Sequence, residues 1–172
     1  MMRLFTAIKL DDDMREQLIS AQDKLRSIGL RGRYNKEDSF HLTLAFIGEY
    51  DDPQAVTDAL ARVRFEPFML RLSGEVGQFD GFVVWAGLEM TDELRALGEA
   101  VRQELSAAGI PFDQKAFNPH ITLLRLARGE EIDAAPEVSV GSAEMNVEHF
   151  LLMRTAKDRN GFYYAEIGRF GK

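Results

Sequence analysis

The chain contains no cysteine, a single tryptophan and only three histidines among 172 residues. Without cysteine there can be no disulfide framework, no thiolate nucleophile and no cysteine-ligated zinc. No apolar run approaches the roughly 18–20 residues that a membrane span needs. The opening Met1–Ile8 stretch is too short in apolar residues for a secretory signal, and acids follow at once. Three catalytic signatures are also missing. There is no Gly-x-Ser-x-Gly turn, since Gly141-Ser142 lacks that context, and no Gly-rich loop ending in Lys-Ser/Thr. There is no His-x-x-x-His pair to hold a divalent ion. The expectation is a cytoplasmic protein with no membrane association, no metal and no cofactor.

Positive charge is scarce as well. Twenty-one Lys and Arg against 28 Asp and Glu leave a net charge of −7, which argues against coating nucleic acid by general electrostatics. An RNA partner would be gripped at a terminus by a local basic patch. Arg31, Arg33 and Lys36 supply candidates in one segment, Lys115, Arg125 and Arg128 in another.

Against this background two of the three histidines share one frame, His41-Leu42-Thr43-Leu44 and His120-Ile121-Thr122-Leu123, 79 residues apart. Alternate side chains of a strand point to opposite faces. Each motif therefore turns an imidazole and a hydroxyl one way and two aliphatic side chains the other. The competing reading is two edge-strand histidines satisfied by backbone, with threonine present for its β propensity. Thr occurs only six times, and His149, followed by Phe150 and Leu151, lacks the frame, so the repeated pattern favours function.

Sliding the chain by 79 residues also lays Leu4–Leu10 on Val83–Glu89, both readable as short strands. Asp13 falls on Asp92, each near a helix start. Met14, Leu18, Leu25 and Ile28 have near-helical spacing, as do Leu94, Leu97, Val101 and Leu105. Asp11–Asp13 and Thr91 read as N-terminal caps, Gly29 and Gly109 as stops. A helix is expected from Asp52-Pro53 to Val63, and strands near 68–73, 138–140, 144–154 and 162–169. A polar loop is expected over 128–136, and a hairpin turn at Asn160-Gly161. The fold class expected is α+β, with residues 1–172 forming a single bilobal domain. Its two pseudo-symmetric lobes would each be a small, mainly antiparallel sheet with packed helices, facing across a central cleft. A βαβ reading of each repeat would instead allow parallel neighbours.

At these paired motifs the chain resembles the 2H phosphoesterase superfamily, and within it the bacterial and archaeal RNA 2′,3′-cyclic phosphodiesterases, also called 2′-5′ RNA ligases. The likeness runs through Arg3–Ile8, His41–Glu49, Gly77-Gln78-Phe79 with Val84-Trp85, Phe117–Arg125 and Gly161–Tyr164. One departure is Arg33-Tyr34, where related sequences often carry tryptophan; Tyr34 stands in that place.

The resemblance implies metal-independent opening of an RNA 2′,3′-cyclic phosphate to a 2′-phosphomonoester, or the reverse ligation to a 5′ hydroxyl. Histidine suits both proton transfers because its ordinary pKa, about 6.5, lies near neutrality. By analogy with the family His41 is the general acid and His120 the general base. Thr43 and Thr122 would donate to the phosphate oxygens. Arg125 is the expected third contact, although strand parity places it with Ile121 and Leu123 on the buried face; a bulge after Thr122 or the reach of the side chain would reconcile the two. Phe46 has the same parity and reads first as core, and Phe117 and Tyr34 read as packing before base-stacking platforms. The alternatives are a phosphodiesterase for small cyclic phosphates, such as ADP-ribose 1″,2″-cyclic phosphate, and a non-catalytic RNA-end binding module. A monomer is expected in each case.

Overall fold

The computed structural model describes residues 2–172, apart from the side chains of Glu130 and Glu131. The chain opens with β1 (Met2–Lys9), α1 (Asp12–Ser27), β2 (Arg31–Tyr34) and β3 (His41–Tyr50). After α2 (Pro53–Leu60) come β4 (Phe68–Phe79), β5 (Val83–Leu88), α3 (Asp92–Ala107) and β6 (His120–Arg128). It closes with β7 (Glu144–Val147), β8 (His149–Asp158) and β9 (Gly161–Gly171).

The long helices start and stop as their ends dictate. The Asp11 carboxylate accepts from Met14 N, and the Thr91 hydroxyl oxygen accepts from Leu94 N. Gly29 and Gly109 take left-handed φ of 91° and 73° just past the helices, and Leu30 N and Ile110 N donate back to Leu25 O and Leu105 O. Each helix buries one stripe, Met14, Leu18, Ala21, Gln22 and Leu25 in α1, and Leu94, Leu97, Gly98, Val101 and Leu105 in α3.

The strands form two sheets in the orders β3-β1-β8-β9 and β2-β6-β5-β4-β7, and every pairing is antiparallel. The parallel alternative is thereby excluded. β3 pairs with β1 as β6 pairs with β5. Lys9 opposes His41 and Ala7 opposes Thr43; Gly87 opposes His120 and Trp85 opposes Thr122. The motif strands correspond at the expected 79, but their partner strands correspond at 78, one residue off the single sliding alignment.

Helices and short strands cross between the halves. β2 joins β6 in the second sheet, and α1 lies against β6 and β7 whereas α3 lies against β3. The run expected as one strand over 144–154 is interrupted at Glu148, so β7 pairs with β4 in one sheet while β8 pairs with β1 in the other. β4 runs on past Ser73 to Phe79, through a bend at Gly74 (φ 87°). Residues 138–140 form no strand: Val140 N meets β4 at its Gly74 bend with one bond to Gly74 O, while Val138 N turns back to Ala135 O and Ser139 O accepts from Lys24 Nζ. The segment expected as a loop carries a 3-10 helix over Glu130–Glu137. The β8–β9 turn is Arg159-Asn160, with Gly161 (φ 111°) opening β9 opposite Asp158. No helix among the described residues is long and apolar enough to cross a membrane.

Candidate active site

β3 and β6 approach one another between the sheets, and both carry an extra residue at the same place. The register slips between Thr43 and Ala45, making Leu44 a bulge in β3, and between Thr122 and Leu124, making Leu123 a bulge in β6. A bulge reverses the parity of everything beyond it. Leu44 and Ala45 are both buried, as are Leu123 and Leu124, and the cleft-facing frame resumes at Phe46 and Arg125. Strict alternation therefore misplaces both residues. Arg125 shares the face of His120 and Thr122, and Phe46 lines the cleft with His41 and Thr43 instead of entering the core.

The bulge carbonyls are held from the opposite half. Leu123 O accepts from the Gln22 amide at 2.9 Å and from Asn35 N at 2.9 Å, and Leu44 O accepts from Arg102 Nε at 3.4 Å. Gln22 also donates to Asn35 O at 2.9 Å.

The two imidazoles are oriented alike. His41 Nδ1 lies 2.8 Å from Ser39 O, and His120 Nδ1 lies 2.7 Å from Asn118 O. A carbonyl can only accept, so each Nδ1 carries the proton and each Nε2 is left for chemistry. His41 is held between Phe5 and Tyr164, with ring centroids 4.9 and 5.1 Å away. His120 abuts Phe79 at 5.1 Å and Trp85 at 6.2 Å. Burial in this aromatic setting pushes the His41 pKa down to about 4, opposed by the Ser39 bond and reinforced by the charges of Arg125 and His120. Burial also lowers that of His120, opposed by the Asn118 carbonyl and reinforced by Arg125.

The cleft has a volume of about 370 Å³ and contains Arg3, Arg33 and Arg125 among its walls. Arg3 lies over the Phe46 ring at 5.2 Å. No carboxylate lines it, and none of these arginines forms an ion pair with a described residue. A larger hollow of about 630 Å³, between the end of α2 and the chain terminus, contains neither motif.

Comparison with known proteins agrees with this arrangement. The model of the 2′-5′ RNA ligase superfamily matches residues 14–159. The chain belongs to that superfamily. A relative from Thermotoga maritima named RNA 2′,3′-cyclic phosphodiesterase is 37% identical over 133 residues, 73% of this chain and 70% of the relative. One of the same name from Archaeoglobus fulgidus is 31% identical over 98% of this chain and 99% of its own length. The crystal structure of E. coli LigT in its apo form superposes with a TM-score of 0.80 at 30% identity, covering 99% of this chain and 98% of that one; its complex with 3′-AMP gives the same score.

Within this superfamily frame the expected site residues all come to the cleft face, His41, Thr43 and Arg125 among the cleft walls and His120 and Thr122 on the same face of β6 as Arg125. Of the basic residues, β2 pairing sets Arg33 opposite Arg125 and Arg31 opposite Arg128, and Lys36 lies in an adjoining groove. Lys115 instead sits where its carbonyl accepts from Arg102. Phe117 packs on α3, its ring so close to Gly98 that an added Cβ would come within 2.9 Å. The Tyr34 hydroxyl donates to Leu30 O at 2.7 Å, and Arg26 covers its ring at 4.1 Å. Burial raises the Tyr34 pKa, against the opposing charge of Arg26. Sequence reasoning missed Phe5 and Tyr164 as the clamp on His41, and Gln22 and Arg102 as bulge anchors. For Gln22 a signal existed, an amide within an otherwise apolar helical stripe, which requires buried partners.

Proposed function

We propose that this chain hydrolyses RNA 2′,3′-cyclic phosphate ends to the 2′-phosphomonoester by acid–base catalysis between His41 and His120. The observation that carries the reading is the matched pair of imidazoles. Each is fixed through Nδ1 on the carbonyl two residues earlier; His41 lines a carboxylate-free cleft with Thr43 and Arg125, and His120 and Thr122 share the strand face of Arg125, whose charge reaches both rings. Relatives named for this activity, four of them at 31% identity or better over 73% or more of the chain, support it.

In the proposed step His120 Nε2 takes a proton from water as the water oxygen bonds to phosphorus. The bond from phosphorus to the 3′ oxygen breaks, and His41 Nε2–H protonates that oxygen. Thr43, Thr122 and Arg125 hold the non-bridging oxygens as charge builds on them. Family resemblance assigns acid and base; burial by itself holds His41 in the neutral form. Substrate restores the acid form, since a bound phosphodiester anion draws the His41 pKa upward. The same step with a 5′ hydroxyl in place of water, His120 taking its proton and His41 protonating the 3′ oxygen, gives a 2′-5′ linkage; the reversal, with the two roles exchanged, re-forms the cyclic phosphate. On this reading the chain acts as a cytoplasmic monomer, and the chemistry uses no metal.

The test is hydrolysis of an oligoribonucleotide ending in 2′,3′-cyclic phosphate, with EDTA present, by the wild type, His41→Ala and His120→Ala. A 2′-phosphate product from the wild type, reduced at least about 10²-fold in each variant, is expected. Activity lost to EDTA points to a metal site. Phosphate binding without turnover points to an RNA-end binding module.

A further inference from the structure

The cleft does not end at His41. A second groove of about 340 Å³ adjoins it, and four residues wall both: Arg33, Arg125, Phe162 and Tyr164. The groove lies between strands of different sheets. On one side are β2 and the turn after it, with Lys36 exposed and Ser39 half-buried; on the other is the tip of the β8–β9 hairpin, with Asn160 and Phe162. We infer that this groove seats the nucleotide on the 5′ side of the cyclic end, so that the enzyme acts on oligoribonucleotides in preference to free cyclic nucleotides. The inference rests on the cyclic phosphodiesterase reading and names its substrate class.

The lining suits one nucleotide. A cyclic end held by Arg125 directs its 5′ oxygen, and the internal phosphate attached to it, away from the motif histidines. Arg33 and Lys36 are the cations available beyond that point, and neither pairs with a described acid. Phe162 is 65% exposed and offers a ring on which a base can stack, and Lys157 stands over it at 5.3 Å. Asn160 lines the same groove with an exposed amide, which suits a base edge, while the Asn35 amide donates to Thr122 O at 2.8 Å. No carboxylate lines either groove in a chain with 28 acids, so the field favours a run of phosphates over a single one. Ser39 links the two sites: its residue lines the groove, and its carbonyl oxygen orients His41.

The experiment compares kcat/KM for a mononucleoside 2′,3′-cyclic phosphate and for a dinucleotide ending in the same cyclic phosphate, across a salt series, using wild type and Lys36→Ala. The wild type is expected to prefer the dinucleotide. Its logarithmic salt slope for the dinucleotide should be steeper by about 0.7, the increment for one more single-strand phosphate. Lys36→Ala should reduce the dinucleotide-to-mononucleotide ratio roughly three- to tenfold, the size of one charge-assisted contact, and remove the added slope. Lys36 is exposed, so folding is not at stake, and Lys36→Arg should restore the ratio. Equal kcat/KM and equal slopes for the two substrates, or an equal loss on both in Lys36→Ala, overturns the groove's role and leaves the chemistry standing. No turnover of either substrate overturns the phosphodiesterase reading itself, and this inference with it.

Discussion

On the proposed mechanism, His41 and His120 serve two proton transfers at one phosphate. Both are fixed in the same tautomer by a backbone acceptor, and both are pushed toward the neutral form by burial and by Arg125. In the empty site at pH 7 an imidazole with a pKa near 4 is protonated about one time in a thousand. Since kcat/KM reports the free enzyme, its alkaline limb should lie below 6.5, and the limb of kcat should lie higher because the bound anion favours the charged acid. Arg125→Ala gives the sign: its charge lowers both histidines, so removing it raises both pKa values and moves the kcat/KM limb to higher pH, while maximal activity falls. A pH–rate series on wild type and variant decides this. A limb that stays in place or moves down would remove Arg125 from the electrostatics of the histidine pair.

The decisive element is the bulge, and here the sequence was only partly legible. The motifs, the helix stripes, the capping residues and the hairpin follow from periodicity and local chemistry. The extra residue does not, because Leu44 and Leu123 are ordinary strand formers, and nothing local marks them as lying outside the ladder. The cause is tertiary. Arg102 and Gln22, 58 and 101 residues from their acceptors, hold the bulge carbonyls from the other half of the chain. The same physics explains Phe46, read as core by parity and found in the cleft, and the 144–154 run, which one pattern cannot divide between two sheets. Gln22→Leu keeps the apolar volume but removes the amide from two buried carbonyls. It is expected to cost about 1–3 kcal/mol of stability and to lower kcat/KM as the frame of Arg125 loosens. Urea denaturation with parallel kinetics tests it. An unaltered kcat/KM alongside lost stability would confine Gln22 to a structural part.

At the scale of the whole molecule, a chain of two similar halves invites the idea of two lobes that unfold separately, but the connectivity argues otherwise. β7 and β8 are consecutive yet belong to different sheets, β2 from the first half completes the sheet of the second, and each long helix reaches the motif strand of the other half. Either half alone would lose strand partners and leave buried carbonyls unpaired. The cleft is assembled across that same exchange, since Arg33 opposes Arg125 and its walls come from both sheets. The protein is therefore expected to unfold in one cooperative transition. Trp85, the only tryptophan, reports from the second sheet beside His120, while far-UV circular dichroism reports from both sheets. The two urea curves should coincide, with equal midpoints and equal slopes. A Trp85 transition at lower urea than the dichroism would show that the second sheet melts first and that the exchanged elements do not couple the halves.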